Sequence, residues 1–186
     1  MTLTKTLVAA AAALLTTTAA WADLTVGISL PLTGPTSALG IPMQNQFKLW
    51  PTSIAGEKLN VIIMDDATDP TKGVQNARRF ITEDKADIII GSAITTVAAA
   101  MVDVIAESGT VQLAASPVGT PPGKDGWLFR LPQGNDVMAH AVINLMKKQG
   151  VKTVGFLGYT DAYGELWLKA FTAEADKAGI KLSGTE

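Results

Sequence analysis

Three hydroxyl side chains, Ser92, Thr95 and Thr96, fall within five residues of one another in DIIIGSAITTVAAAMVDVIAESGTVQLAASPVGT. They follow the apolar run Ile88-Ile89-Ile90, closed by Gly91, and precede a stretch in which Val97, Met101, Val102, Val104 and Ile105 recur at helical spacing. Hydroxyls at a helix start lie beside backbone N–H groups that the helix cannot pair itself. Such a place suits a small anion, carboxylate or phosphate. Serine and threonine also cap helices with no ligand present, by accepting from those same N–H groups. The stretch taken alone is compatible with either chemistry.

The elements that position these hydroxyls form a strand–helix–strand unit. Ile88 to Ile90 reads as a strand buried on both faces, as in a parallel sheet. The helix runs from Thr95 to Ser108, and Gly109 stands where a left-handed C-cap needs no Cβ. A second apolar run, Val111 to Ala115, ends at Ser116-Pro117. The two strands should be parallel with a right-handed crossover, which brings their ends and the helix N-terminus to one sheet edge.

Upstream, Leu24 to Leu30 reads as the first strand, followed by a loop, PLTGPTSALG, built from turn formers. The pattern predicts a short helix over Pro42 to Trp50 stopped by Pro51, a turn at Ala55-Gly56-Glu57-Lys58, and a strand from Leu59 to Met64. Asp65 and Asp66 end that strand, Asp69 is the expected N-cap with Pro70 at the first helical position, and Val74, Ala77, Phe80 and Ile81 form a buried stripe. This alternation implies an α/β doubly wound parallel sheet.

Downstream, PVGTPPGKDG and a short strand, Trp127 to Leu131, lead into PQGND, which reads as a link between two lobes. Beyond it come a helix from about Asp136 to Gln149, a strand from Thr153 to Leu157, a loop GYTDAYGE, a helix from about Glu165 to Ala178 ended by Gly179, and the start of a strand at Ile180-Lys181-Leu182. The expected organisation is a leader over 1–22, a first lobe over 23–132 and the beginning of a second lobe over 133–186. A lobe with so few strands has too small a core to stand alone, so a longer chain is expected, with Val154, Phe156 and Leu157 left partly uncovered here.

The chain has 186 residues, 47% hydrophobic and 17% charged, with a formal net charge of −2. Nothing there favours nucleic acid as a partner. With no cysteine, disulfides, thiol catalysis and cysteine metal sites are excluded. Lys5, the nine-residue apolar run Leu7 to Leu15, and Ala20-Trp21-Ala22 read as a secretory signal cleaved before Asp23, so a periplasmic location is expected. GTPPGKD lacks the spacing of a phosphate loop, no GxGxxG follows the first strand, and the Asp65, Asp66, Asp69 group lacks an EF-hand's glycine and closing glutamate. His140, the single histidine, has no partner for a triad or metal site and reads as an ordinary helix residue. Neither an enzyme nor a cofactor is indicated.

Taken in order, the leader, PLTGPTSALG, DDATDPTKGVQNARRF, IIIGSAITTVAAA, AASPVGTPP, LFRLPQGN and TVGFLGYTDAYGE resemble the periplasmic solute-binding proteins of ABC importers for branched-chain amino acids, the leucine/isoleucine/valine-binding type. The resemblance covers the chain from Asp23 onward and about the first half of a family member. It implies a type I periplasmic binding fold, two Rossmann-like lobes with parallel sheets that close on a ligand, with the second lobe incomplete. The ligand carboxylate is then expected at Thr95 and Thr120, with backbone help from Thr96 and Val118, and Tyr163 covering it from the second lobe. Leu39 occupies a place facing the ligand side chain. Thr68 and Ile94 stand where some members carry a disulfide, and LWPTSIAGEKL is shorter than the family's usual helix and turn. The family's groups for a ligand ammonium are expected beyond Glu186. The implied partners are a small carboxylate, either a hydrophobic amino acid or an aromatic acid, and the membrane permease of an importer. A sensing domain on the same fold is the alternative output.

Overall fold

The computed structural model describes residues 23–186; the predicted leader lies outside the described residues. The elements run β1 (Leu24–Leu30), α1 (Ser37–Phe47), β2 (Ser53–Ile54), β3 (Glu57–Asp65), α2 (Pro70–Thr82), β4 (Ile88–Gly91), α3 (Thr95–Ser108), β5 (Val111–Ala114) and β6 (Leu128–Arg130). There follow α4 (Asn135–Lys148), β7 (Thr153–Phe156), α5 (Ala162–Ala178) and β8 (Lys181–Thr185).

The first six strands form one sheet in the order β2-β3-β1-β4-β5-β6. Its neighbours are parallel except for the antiparallel β2–β3 pair. Leu30 pairs with Asp65, Ser29 with Gly91 and Ile90 with Leu113, so the carboxyl ends of β1, β3, β4 and β5 share one edge. The sheet is covered on both faces, which explains why its central strands are near-continuous apolar runs. On one face Ile89 packs with Ala77 and Phe80 of α2 and with Val97, Met101 and Ile105 of α3. On the other, Val26, Ile28, Leu30, Leu59 and Ile90 pack with Met43 and Phe47 of α1 and with Trp50. This is the doubly wound α/β architecture expected from the sequence.

Most predicted elements stand within a residue or two of their expected bounds, and Gly109 takes the left-handed cap with φ 67°. Three differ. Helix α1 starts at Ser37, inside the predicted loop, and contains Pro42. Gly40 there is no breaker: a Cβ on it would lie 2.2 Å from the Pro31 carbonyl oxygen, so its role is close packing of α1 on the chain leaving β1. The predicted turn at Ala55-Gly56 joins two paired strands, because both residues adopt positive φ, as a tight hairpin requires. Helix α5 begins at Ala162, three residues earlier than expected, because Asp161 caps it by accepting from the N–H groups of Tyr163 and Gly164 at 3.0 and 2.9 Å.

Strands β7 and β8 form a separate two-stranded parallel sheet, with α4 and α5 packed together around Ile143, Phe171, Ala175 and Ile180. Val154 and Phe156 are half-buried against this cluster, whereas Leu157 is 83% exposed. Of the three residues expected to be uncovered, Leu157 is the most exposed, and Tyr159, Val137 and Leu145 add to the apolar surface of this unit. His140 lies exposed on α4 with its Nδ1 2.7 Å from Glu174, as befits an ordinary helix residue.

Candidate functional site

The shared strand edge is held by a buried polar network that the apolar patterning concealed. Asp66, fully buried, accepts from the hydroxyls of Ser92 at 2.7 Å and Ser29 at 3.1 Å and from the N–H of Thr68 at 3.1 Å. Asn76 reaches in from α2 and donates to Ser29 Oγ at 3.1 Å and to the Asp65 carbonyl at 3.2 Å. Ser116 donates to the Ser92 carbonyl at 3.1 Å, and Gln112 donates to the Gly91 carbonyl at 2.8 Å. These bonds tie the ends of β1, β3, β4 and β5 together. Gly91 is required at the centre of this knot: its φ is 115°, and a Cβ would stand 2.0 Å from the Ser29 carbonyl oxygen.

The two adjacent aspartates titrate in opposite senses. Burial raises the Asp66 carboxyl above its ordinary value, and the hydrogen bonds from Ser92, Thr68 and Ser29 only partly offset that. Burial acts the same way on Asp65, but bonds from Thr33, Ala67 and Leu32 outweigh it and leave that carboxyl lowered. Asp69 caps α2 as expected, accepting from the Thr71 N–H at 2.7 Å.

The network also sorts the hydroxyls of Ser92, Thr95 and Thr96. Ser92 is turned into the core and accepts from the Ile94 N–H at 3.2 Å, so it serves the scaffold and is not available to a ligand. The N-cap of α3 is Ile94, which offers no side-chain acceptor. Thr95 is the first helical residue, not the cap, and among the described residues no hydrogen bond engages its hydroxyl. The first turn of α3 keeps N–H groups without a side-chain cap, beside a largely buried threonine.

Thr95 lines a cavity of about 260 Å³ between α3 and α5. Ala99 and Gly119 complete its wall on the large-sheet side, and Ala162, Glu165, Leu166 and Lys169 face them from α5. Of the residues named from the sequence, only Thr95 belongs to this lining. Thr96, the next residue, is half-buried. Val118 is buried and lines a neighbouring cavity of about 540 Å³ with Arg130, Asn135 and Lys169, and its carbonyl accepts from Arg130 Nε at 2.5 Å. The Thr120 hydroxyl is engaged by Asp125 and by Arg130 Nη2 at 2.9 Å. Those bonds from Thr120 and Arg130 hold the Asp125 carboxyl below its usual range. Tyr163 is half-buried in the first turn of α5, one residue from the lining position Ala162. Leu39 lies 54% exposed on α1. Sequence reasoning missed Gly119 and the α5 positions Glu165, Leu166 and Lys169. On α5 the one available signal was the i, i+4 spacing of Ala162 with Leu166 and of Glu165 with Lys169, on the helix after GYTD.

A cavity between two α/β units, at the carboxyl ends of parallel strands, is the position at which open α/β sheets bind ligands. Residues 23–186 match the family described as periplasmic binding protein. The chain belongs to that family. It is 33% identical to Leu/Ile/Val-binding protein homolog 3 of Brucella melitensis over 182 residues, covering 87% of this chain and 46% of that protein. Its fold is similar to that of an extracellular ligand-binding receptor from Rhodopseudomonas palustris, with 40% identity, a TM-score of 0.86, and coverage of 88% of this chain and 46% of that one. A solute-binding protein of an ABC transporter from R. palustris BisB5, solved with 3,4-dihydroxybenzoic acid, shares the fold at 24% identity and a TM-score of 0.80, over 88% of this chain and 46% of that one. The chain spans about half the length of the curated relatives it matches.

Proposed function

We propose that this protein is the extracytoplasmic solute-binding component of an ABC importer, exported by the leader at 1–22, and that it captures a small carboxylate without transforming it. In this reading 23–132 forms the first lobe, 133–186 begins the second, and the ligand lies between them. The observation that carries it is Thr95: largely buried, first in its helix, unengaged, and lining the cavity between the two units. A carboxylate there would take the Thr95 hydroxyl together with first-turn N–H groups and the positive end of the helix dipole. The Leu/Ile/Val-binding relative supports a hydrophobic amino acid as the ligand. Thr120, backbone groups of Thr96 and Val118, and Leu39 remain part of this proposal on the first lobe beside Thr95, with Tyr163 covering the ligand from the second.

The test is calorimetry on the full-length protein with leucine, isoleucine, valine, phenylalanine and benzoate, each beside its amide. A hydrogen bond to a charged group contributes about 1.5–3 kcal/mol, so Thr95→Ala should weaken binding about tenfold to a hundredfold while leaving the fold intact. Binding indifferent to Thr95→Ala, or to replacing the carboxylate by an amide, would refute the anion site.

A further inference from the structure

The segment 117–120 follows β5 and carries Gly119, part of the wall of the Thr95 cavity. It opens the stretch PVGTPPGKDG, whose prolines have no N–H to donate and whose glycines leave the backbone free. Among the described residues, no backbone–backbone hydrogen bond holds 117–120. Arg130, paired with Ala114 across β5 and β6, supplies the grip instead. Its Nε donates to the Val118 carbonyl, and its Nη2 donates to the Thr120 hydroxyl at 2.9 Å and to the Asp125 carboxylate at 2.8 Å. A guanidinium only donates, so the Thr120 oxygen accepts from Arg130 and its single proton is directed elsewhere. That proton goes to Asp125.

We propose that Arg130 is a positioning residue for ligand capture: it clamps 117–120 and sets the Thr120 hydroxyl as a donor to a carboxylate, a place that Asp125 fills until the ligand's carboxylate takes it. Arg130 acts through this segment. The inference rests on the proposed carboxylate site beside Thr95. Three features favour it. The fork of a guanidinium reaches a carbonyl and a hydroxyl at once, which the point charge of a lysine cannot do. Lys124 is paired with Asp103 of α3, so the far arm of the loop has its own tether and Arg130 governs 117–120 separately. Asp125 is exposed and can leave without uncovering any core, while Arg130 keeps its bonds to Val118 and Thr120.

The experiment is stopped-flow kinetics and calorimetry on the full-length protein, with leucine and benzoate as probes. Arg130→Lys should raise the dissociation rate of a bound probe about tenfold at unchanged stoichiometry. Asp125→Asn should act the other way and tighten binding about threefold, because a neutral amide competes less well than a carboxylate for the Thr120 proton. Damage to the fold alone would lower the stoichiometry or weaken binding in both variants, so opposite signs are the mark of positioning. In the unliganded protein, amide exchange at 118–120 should be faster in Arg130→Lys and unchanged in β4 and β5. An unaltered dissociation rate in Arg130→Lys, or weaker binding in Asp125→Asn, overturns the proposal. If Thr95→Ala weakens binding while these two variants behave as wild type, the carboxylate site stands and only the roles of Arg130 and Asp125 fall. If neither probe binds, the carboxylate reading falls and this proposal falls with it.

Discussion

The two sides of the Thr95 cavity are built differently. On the large-sheet side, Thr95 and Gly119 follow strand ends locked by Asp66, Ser92, Ser116 and Gln112, inside a six-stranded sheet covered on both faces. On the other side, Glu165, Leu166 and Lys169 stand on one helix backed by two strands and a core of four buried apolar residues. The Thr95 half is fixed by a connected network of buried hydrogen bonds. The α5 half is fixed by packing of α5 on α4 and on β8 and by the Asp161 cap. Positional accuracy is concentrated where a carboxylate would be held.

The sharpest way to break this comparison is to remove one large core side chain from each side. Phe80 is fully buried against Gly27 in the large sheet, and Phe80→Ala should cost about 3–5 kcal/mol. Phe171→Ala should loosen the β7–β8 unit while leaving amide protection in β1, β3 and β4 intact. Hydrogen exchange read strand by strand distinguishes the two. Protection lost from the large sheet in Phe171→Ala would show the halves to be one cooperative unit.

A smaller effect separates the adjacent aspartates. Asp65, with its lowered carboxyl, contributes stability that is present above the unfolded value near 3.8 and is lost as pH falls through its folded pKa. Asp65→Asn should therefore cost about 1.5–3 kcal/mol at neutral pH, and the deficit should shrink on acidification. Asp66, with its raised carboxyl, has the opposite sign: its titration favours the folded state below 3.8, and that contribution is lost as pH rises through its folded pKa. Melting temperatures of Asp66→Asn and wild type should thus converge, or cross in favour of Asn, as pH rises from the acid side. Parallel pH profiles for the two variants would contradict the opposed environments.

The smallest effect is expected at the edge of the α5 half. Leu157 is 83% exposed, and Leu157→Ser should change stability by no more than about 0.5 kcal/mol in the chain 1–186. A larger loss in a denaturant titration would mean that Leu157 is covered in solution.

Much of the scaffold was legible in the sequence. Apolar runs bounded by glycine gave the strands, and 3.6-residue spacing gave α2 and α3 almost to the residue. Thr95 could be located as well, because the strand–helix–strand unit can place its helix start at only one edge. Ser92 was misread because a hydroxyl's direction depends on Asp66, 26 residues earlier in the chain, which local pattern does not encode. Gln112 vanished inside VQLAA for the same reason. Gly40 carried a breaker signal and Pro42 a helix start that tertiary packing overrode, since α1 begins at Ser37 and needs the small residue to lie on Pro31. The α5 face was out of reach, because which side of a surface helix meets a cavity is decided by the neighbouring helix.

The edges of the large sheet carry a consequence of their own. One edge is β2, two residues long, and the other is β6, three residues ending in Arg130. At β6 a stray strand finds only a few free backbone groups and meets a charged residue, whereas β2 pairs only Glu57 and Lys58 and leaves the rest of β3 without a strand neighbour on that side. A short, charged border such as β6 discourages runaway strand addition, so that side of the large sheet is guarded against cross-β polymerisation, and any strand addition should start along β3.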